Sequence, residues 1–137
     1  MNDGEESGSP VAGDNPGDAT RNRRERLIDA LGDPVNRQLL AAMDDAPRSV
    51  QQLLERVPVP KSTVYSRLHQ LRGLGLVAVQ RTVITPDGKR TDLFRSLVAE
   101  ARISVRGPET TLNLKMRNLS EERLRDLMED LHAEVER

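Results

Sequence analysis

Between Gly32 and Gly75 prolines and glycines cut the chain into short segments, each carrying apolar residues at helical spacing. That punctuation restricts the stretch to brief helices joined by tight turns. Proline removes a helical hydrogen bond and pushes the residue before it out of the α region. Asp33-Pro34 predicts a helix start, since the carboxylate accepts from the first free amides and proline presets φ. This helix is expected to run to about Asp44 and to bury Val35, Leu39, Leu40 and Met43. Ser49 and Gln52 stand at capping-box spacing and predict a helix from Val50 to Arg56, with Leu53 and Leu54 inward. Val57-Pro-Val-Pro60 then makes a turn, and Pro60 is expected as the first residue of the next helix. That helix buries Val64, Leu68 and Leu71 and ends between Gly73 and Gly75.

The flanks complete the architecture. Upstream, a helix is expected from near Thr20 to Gly32, carrying Leu27, Ile28 and Leu31. Downstream, Leu76 to Ile84 and Arg90 to Leu97 are rich in strand formers and joined by Thr85-Pro-Asp-Gly-Lys89, which is hairpin turn chemistry. A second hairpin is expected across Gly107-Pro108, with Ala101, Ile103 and Val105 alternating on one strand and Leu112, Leu114 and Met116 on the other. Ser120 is expected to cap a last helix with Glu121 and Glu122 in its first turn, where negative charge suits the helix dipole. Its apolar residues Leu124, Leu127, Met128, Leu131 and Val135 recur at nearly heptad spacing and predict self-association. Helices joined by a short turn and followed directly by a hairpin make a winged helix-turn-helix. The expected class is therefore α+β and mainly helical, with a β-hairpin wing, a second hairpin and a C-terminal dimerisation helix.

At 137 residues the chain supports one domain with a core and some appendages. Residues 1–18 carry five acids and no base among Gly, Ser and Pro, and are expected to be a disordered acidic tail. The winged domain is expected over 19–98, and the second hairpin with the last helix over 99–137. There is no cysteine, and only His69 and His132 offer imidazoles, so thiolate chemistry is excluded and no metal or other cofactor is expected. No apolar run approaches a membrane span and no signal segment opens the chain, which predicts a cytoplasmic location. No nucleophile is paired with a base and no glycine-rich phosphate loop follows a strand, so an enzyme is not expected.

Charge is split along the chain. Residues 47–106 hold eleven basic side chains against four acidic ones, and no acid occurs between Val57 and Pro86. A polyanionic partner is expected there. With Val64, Leu68 and Leu71 turned to the core, Ser62, Ser66, His69 and Gln70 face outward, flanked by Thr63, Tyr65 and Arg72. Small hydroxyls permit close approach to base edges, Tyr65, Gln70 and Arg67 supply longer groups, and Lys61 with the helix N-terminus suits a phosphate. Lys89 and Arg90 at the hairpin turn suit a neighbouring phosphate, with Asp87 opposing them. Arg21, Arg23, Arg24 and Arg26 form a further basic cluster, either tracking a backbone or simply solvated.

The segment Leu31-Gly-Asp-Pro-Val-Asn-Arg37 with Leu39-Leu40, then Lys61-Ser-Thr-Val-Tyr-Ser-Arg-Leu68 and Leu71-Arg-Gly-Leu-Gly-Leu-Val77, resembles winged-helix repressors of the ArsR type. The resemblance spans roughly residues 27 to 97. It implies a dimeric prokaryotic regulator of transcription, bacterial or archaeal, that binds double-stranded DNA. Metal-sensing members place cysteines on the helix matching Val50 to Arg56; here that helix has none, so metal sensing is not implied. A two-fold dimer would set two reading helices about 34 Å apart on a palindromic operator. The competing reading is a winged helix that docks a protein partner without reading DNA sequence. A small-molecule effector, the operator and the direction of regulation stay open, as does the role of the second hairpin.

Overall fold

The computed structural model describes residues 16–135, with side chains from Ala19 to Glu129 apart from Asp126. Of the acidic tail expected over 1–18, residues 1–15 lie outside this range, and Pro16 to Asp18 belong to helix α1, Pro16–Gly32. The helix therefore starts four residues before Thr20, with Pro16 in the first turn where its missing N–H costs nothing. Leu27, Ala30 and Leu31 are buried and Ile28 is half-buried. At the end of α1 the orphan carbonyls are taken by the next helix. Asn36 Nδ2 donates to Ala30 O at 2.9 Å and Arg37 Nη1 to Leu31 O at 3.0 Å.

Helix α2, Pro34–Ala42, is capped by Asp33, whose Oδ1 accepts from Val35 N at 2.9 Å and Asn36 N at 3.4 Å. It ends before the expected Asp44, because Met43 and Asp44 turn out of the helix and give their carbonyls to Arg95. Helix α3, Val50–Arg56, opens with both halves of the capping box: Gln52 N to Ser49 Oγ at 3.1 Å and Ser49 N to Gln52 Oε1 at 2.9 Å. Helix α4 runs Lys61–Gly73, with Pro60 as its extended cap and not its first residue. Pro60 O accepts from Thr63 N and Val64 N, which starts the helix without a capping side chain. Val64, Leu68 and Leu71 are buried as expected. Gly75 takes φ of 79°, a conformation a side chain would resist, and turns the chain into the first strand.

Strands β1, Val77–Ile84, and β2, Arg90–Ser96, form the antiparallel wing, with Ile84 opposite Arg90 and Val77 opposite Ser96. Its turn closes through Thr85 N to Lys89 O at 2.9 Å, with Gly88 at φ 83°. Arg48 adds a short bridge on the outer edge, exchanging two backbone bonds with Phe94. A bulge between Val79 and Arg81 leaves Gln80 out of register and buried. The second hairpin pairs β3, Val98–Arg106, with β4, Glu109–Met116. Ala101 faces Leu114 and Ile103 faces Leu112, so these side chains share one side. Leu112 and Leu114 pack against the core while Ile103 and Val105 stay exposed.

Helix α5, Leu119–Val135, starts one residue before the expected cap. Asn118 Oδ1, and not Ser120, accepts the free amides, from Ser120 N at 3.0 Å and Glu121 N at 3.2 Å. The single core joins α1 to α4 with the wing. Leu39, Met43, Leu53, Val64, Leu71 and Leu76 are its fully buried centre, each contributing about 1.5–3 kcal/mol relative to exposure. No described helix is long and apolar enough to cross a membrane.

Candidate nucleic-acid interface

The buried stripe of α4 fixes what its other side presents. Lys61, Ser62, Tyr65, Ser66, His69 and Gln70 are all exposed, and Thr63 is half-buried at the edge of that face. Lys61, Ser62, Tyr65 and Ser66 stand on the first two turns, where small and planar groups come closest to a groove floor. A helix of this width fits the major groove of B-form DNA.

Arg67 departs from the sequence expectation. It is half-buried, and its guanidinium pairs with the Asp33 carboxylate that caps α2. The same carboxylate therefore ends one helix and anchors another. Arg67 holds Asp33 below its ordinary value, and the amides of Val35 and Asn36 act in the same direction against partial desolvation. In this arrangement Arg67 sets the seat of α4 and does not point outward with its exposed polar face.

The wing stands beside α4. Lys61 and Tyr65 from α4, Ser49 and Gln51 from the start of α3, and Lys89 and Arg90 from the wing line one open cleft of about 640 Å³. Lys89 and Arg90 are exposed. Asp87, expected to oppose them, is occupied within the turn. The Thr85 hydroxyl donates to it, and this bond first, then the Lys89 amide, keeps its carboxyl below the ordinary range. Asp92, also in the cleft wall, accepts from Thr82 Oγ1 at 2.8 Å.

The basic cluster on α1 divides. Arg23 Nη2 donates to Leu74 O at 3.3 Å and so braces the turn after α4, while Arg24 lies 3.7 Å from Glu25. On α5, Leu124, Leu127 and Met128 are 58%, 55% and 61% exposed, so these three side chains are not buried against the chain's own winged domain. The side chains of Leu131 and Val135 lie outside those described.

Three features were missed in the sequence. Ile84 is largely exposed at the wing, paired across the strand with Arg90. The Arg72 guanidinium sits 5.8 Å from the centre of the Phe94 ring and ties the end of α4 to β2. Arg95, counted only as surface charge by composition, is buried. Its signal was available: an arginine inside the apolar run Leu93-Phe94-Arg95-Ser96-Leu97 requires internal partners.

Residues 31–80 match the family model of a helix-turn-helix domain. Among solved structures, the chain is similar to an ArsR-like transcriptional regulator from Rhodococcus sp. RHA1, at 24% identity and a TM-score of 0.46. That match covers 58% of this chain and 69% of the other. It is also similar to the ferric uptake regulator of Vibrio cholerae, at 15% identity and a TM-score of 0.30, over 80% of this chain and 78% of the other. No curated protein matches the chain. The matched segment spans α2 to the middle of β1, and the hairpin completed by β2 stands where the wing belongs. Residues 31–80 are thus similar to a helix-turn-helix domain, and in the structure a β-hairpin follows them directly.

Proposed function

We propose that the chain is a transcription regulator that binds double-stranded DNA in a sequence-dependent manner, as a two-fold dimer on a palindromic operator. One observation carries the reading. The exposed side of α4 bears no acid and shares a cleft with Lys89 and Arg90 of the wing. Ser62, Ser66, His69, Gln70, Thr63 and Tyr65 are the candidates for base edges and nearby sugars. Lys61, Lys89 and Arg90 are the candidates for phosphates on either side of the groove. The exposed leucines of α5 supply the contact between copies, with Leu131 and Val135 continuing the heptad spacing.

The experiment starts from a duplex that the protein itself enriches out of a random-sequence library. The double change Ser62→Glu with Ser66→Glu places two carboxylates against the groove and should abolish retardation of that duplex while helicity by circular dichroism is kept. Unchanged affinity would remove α4 as the reading helix. Failure to enrich any duplex, even at low salt, would favour the winged helix as a protein-docking module.

A further inference from the structure

We propose that Glu122, Arg95 and Arg117 form a pin that sets the angle between α5 and the base of the wing. They would then be positioning residues for the grip of two copies on DNA. This rests on the reading of α4 and the wing as the DNA surface and of α5 as the contact between copies.

Glu122 stands in the first turn of α5, and each of its carboxylate oxygens takes a different arginine. Arg95 Nη1 donates to Oε1 at 2.7 Å, and Arg117 Nε lies 2.6 Å from Oε2. All three side chains are shielded from water, at 18%, 10% and 14% exposure for Glu122, Arg95 and Arg117. Every other donor reaches into the winged domain. Arg95 Nε donates to Met43 O at 3.1 Å, Nη2 to Asp44 O at 2.8 Å, and Nη1 also to Gln80 Oε1 at 3.2 Å. Arg117 Nη1 donates to Ser96 O at 2.6 Å and Nη2 to Asp44 Oδ1 at 3.0 Å.

The network therefore collects the end of α2, both wing strands, the strand exit at Ser96 and the first turn of α5. Past that turn, Leu124, Leu127 and Met128 are exposed, and among the described residues this charged cluster attaches the helix to the domain. A carboxylate shared by two shielded guanidiniums draws both toward it and offsets the repulsion between two adjacent like charges. Loss of the carboxylate leaves those cations facing one another and frees the helix. Arg95 also lies on the same strand as Arg90, five residues and about 17 Å from it at the usual strand rise. A rigid β2 then passes the angle of α5 to the wing tip, and in a dimer that angle fixes the spacing of the two reading heads.

The chain contains no cysteine, so two can be introduced cleanly. Arg81→Cys on the wing and Glu129→Cys on α5 both occupy exposed positions. Nitroxide labels there, in protein diluted with excess unlabelled chain, report the wing-to-helix distance within one copy by double electron–electron resonance. One narrow distribution is expected, widening about twofold in Glu122→Gln as the shared carboxylate is lost. If Glu122→Gln loses its circular-dichroism signal, Arg117→Gln gives the same reading. A width equal to that of the unaltered chain, in whichever variant folds, overturns the pin. On the enriched duplex, Glu122→Gln should tolerate inserted base pairs between half-sites that the unaltered protein rejects. Equal rejection overturns the positioning role. A chain that binds no duplex yet keeps the narrow distribution overturns the DNA reading and not the pin.

Discussion

Arg67 and Asp33 illustrate how one residue type serves two ends. From the sequence Arg67 belongs to the outward face of α4, yet folding brings it to the cap of α2, where a carboxylate already faces the free amides. The Asp33 carboxyl is held below its ordinary value in the folded chain, so the unfolded chain takes up the proton more readily. The sign follows: this contribution to stability is fully present above the unfolded value and is lost as pH falls through the folded one. Asp33→Asn keeps a cap, since asparagine accepts from the same amides, but removes the charge. Thermal melts should then show a flatter acid limb below about pH 4 than the unaltered chain. An unchanged limb would mean that other carboxylates dominate it. Ser49→Ala tests a cap with no charge partner, and denaturant unfolding should report a loss of about 1 kcal/mol.

On the proposed reading, the wing and α4 would act on DNA through different physics, which mutation can separate. Lys89 and Arg90 carry charge on a turn, so replacing both by alanine should weaken all duplexes alike and reduce the salt slope by about 1.8, at roughly 0.9 per phosphate. Gln70→Ala should instead alter which duplexes are enriched, with about 1–3 kcal/mol at the affected base pair. A wing variant that changes preference, with the salt slope intact, would reverse these assignments. Elements of this kind were legible before the structure because their signals are local. Asp33-Pro34, the Ser49 and Gln52 box, and the Thr85 to Lys89 turn each act within a few residues. What escaped was non-local. Nothing near Arg95 names Glu122, twenty-seven residues away, and nothing near Arg67 names Asp33. The cap of α5 was misplaced because Asn118 and Ser120 are both good caps, and the choice depends on where the strand before it ends.

On the scale of the whole molecule, the described residues form a core and leave apolar side chains of α5 uncovered. Leu124, Leu127 and Met128 lie more than half exposed on a helix whose first turn is anchored. Burying each such side chain against a second copy removes apolar area worth about 1.5–3 kcal/mol from water, and the matching residues on the partner double that gain. Across a two-fold axis the same seam meets itself, so one substitution acts twice. Leu124→Asp with Leu127→Asp places four carboxylates in that contact while leaving the winged core untouched, because neither side chain contributes to it. Sedimentation should then give half the mass of the unaltered protein, with circular dichroism and melting of the core unchanged. Binding to a palindromic duplex should fall steeply, and binding to a single half-site should change little, because each reading head remains whole. An unchanged mass would remove α5 from the contact between copies, and unchanged binding to the palindromic duplex by the half-mass protein would mean that the heads act independently.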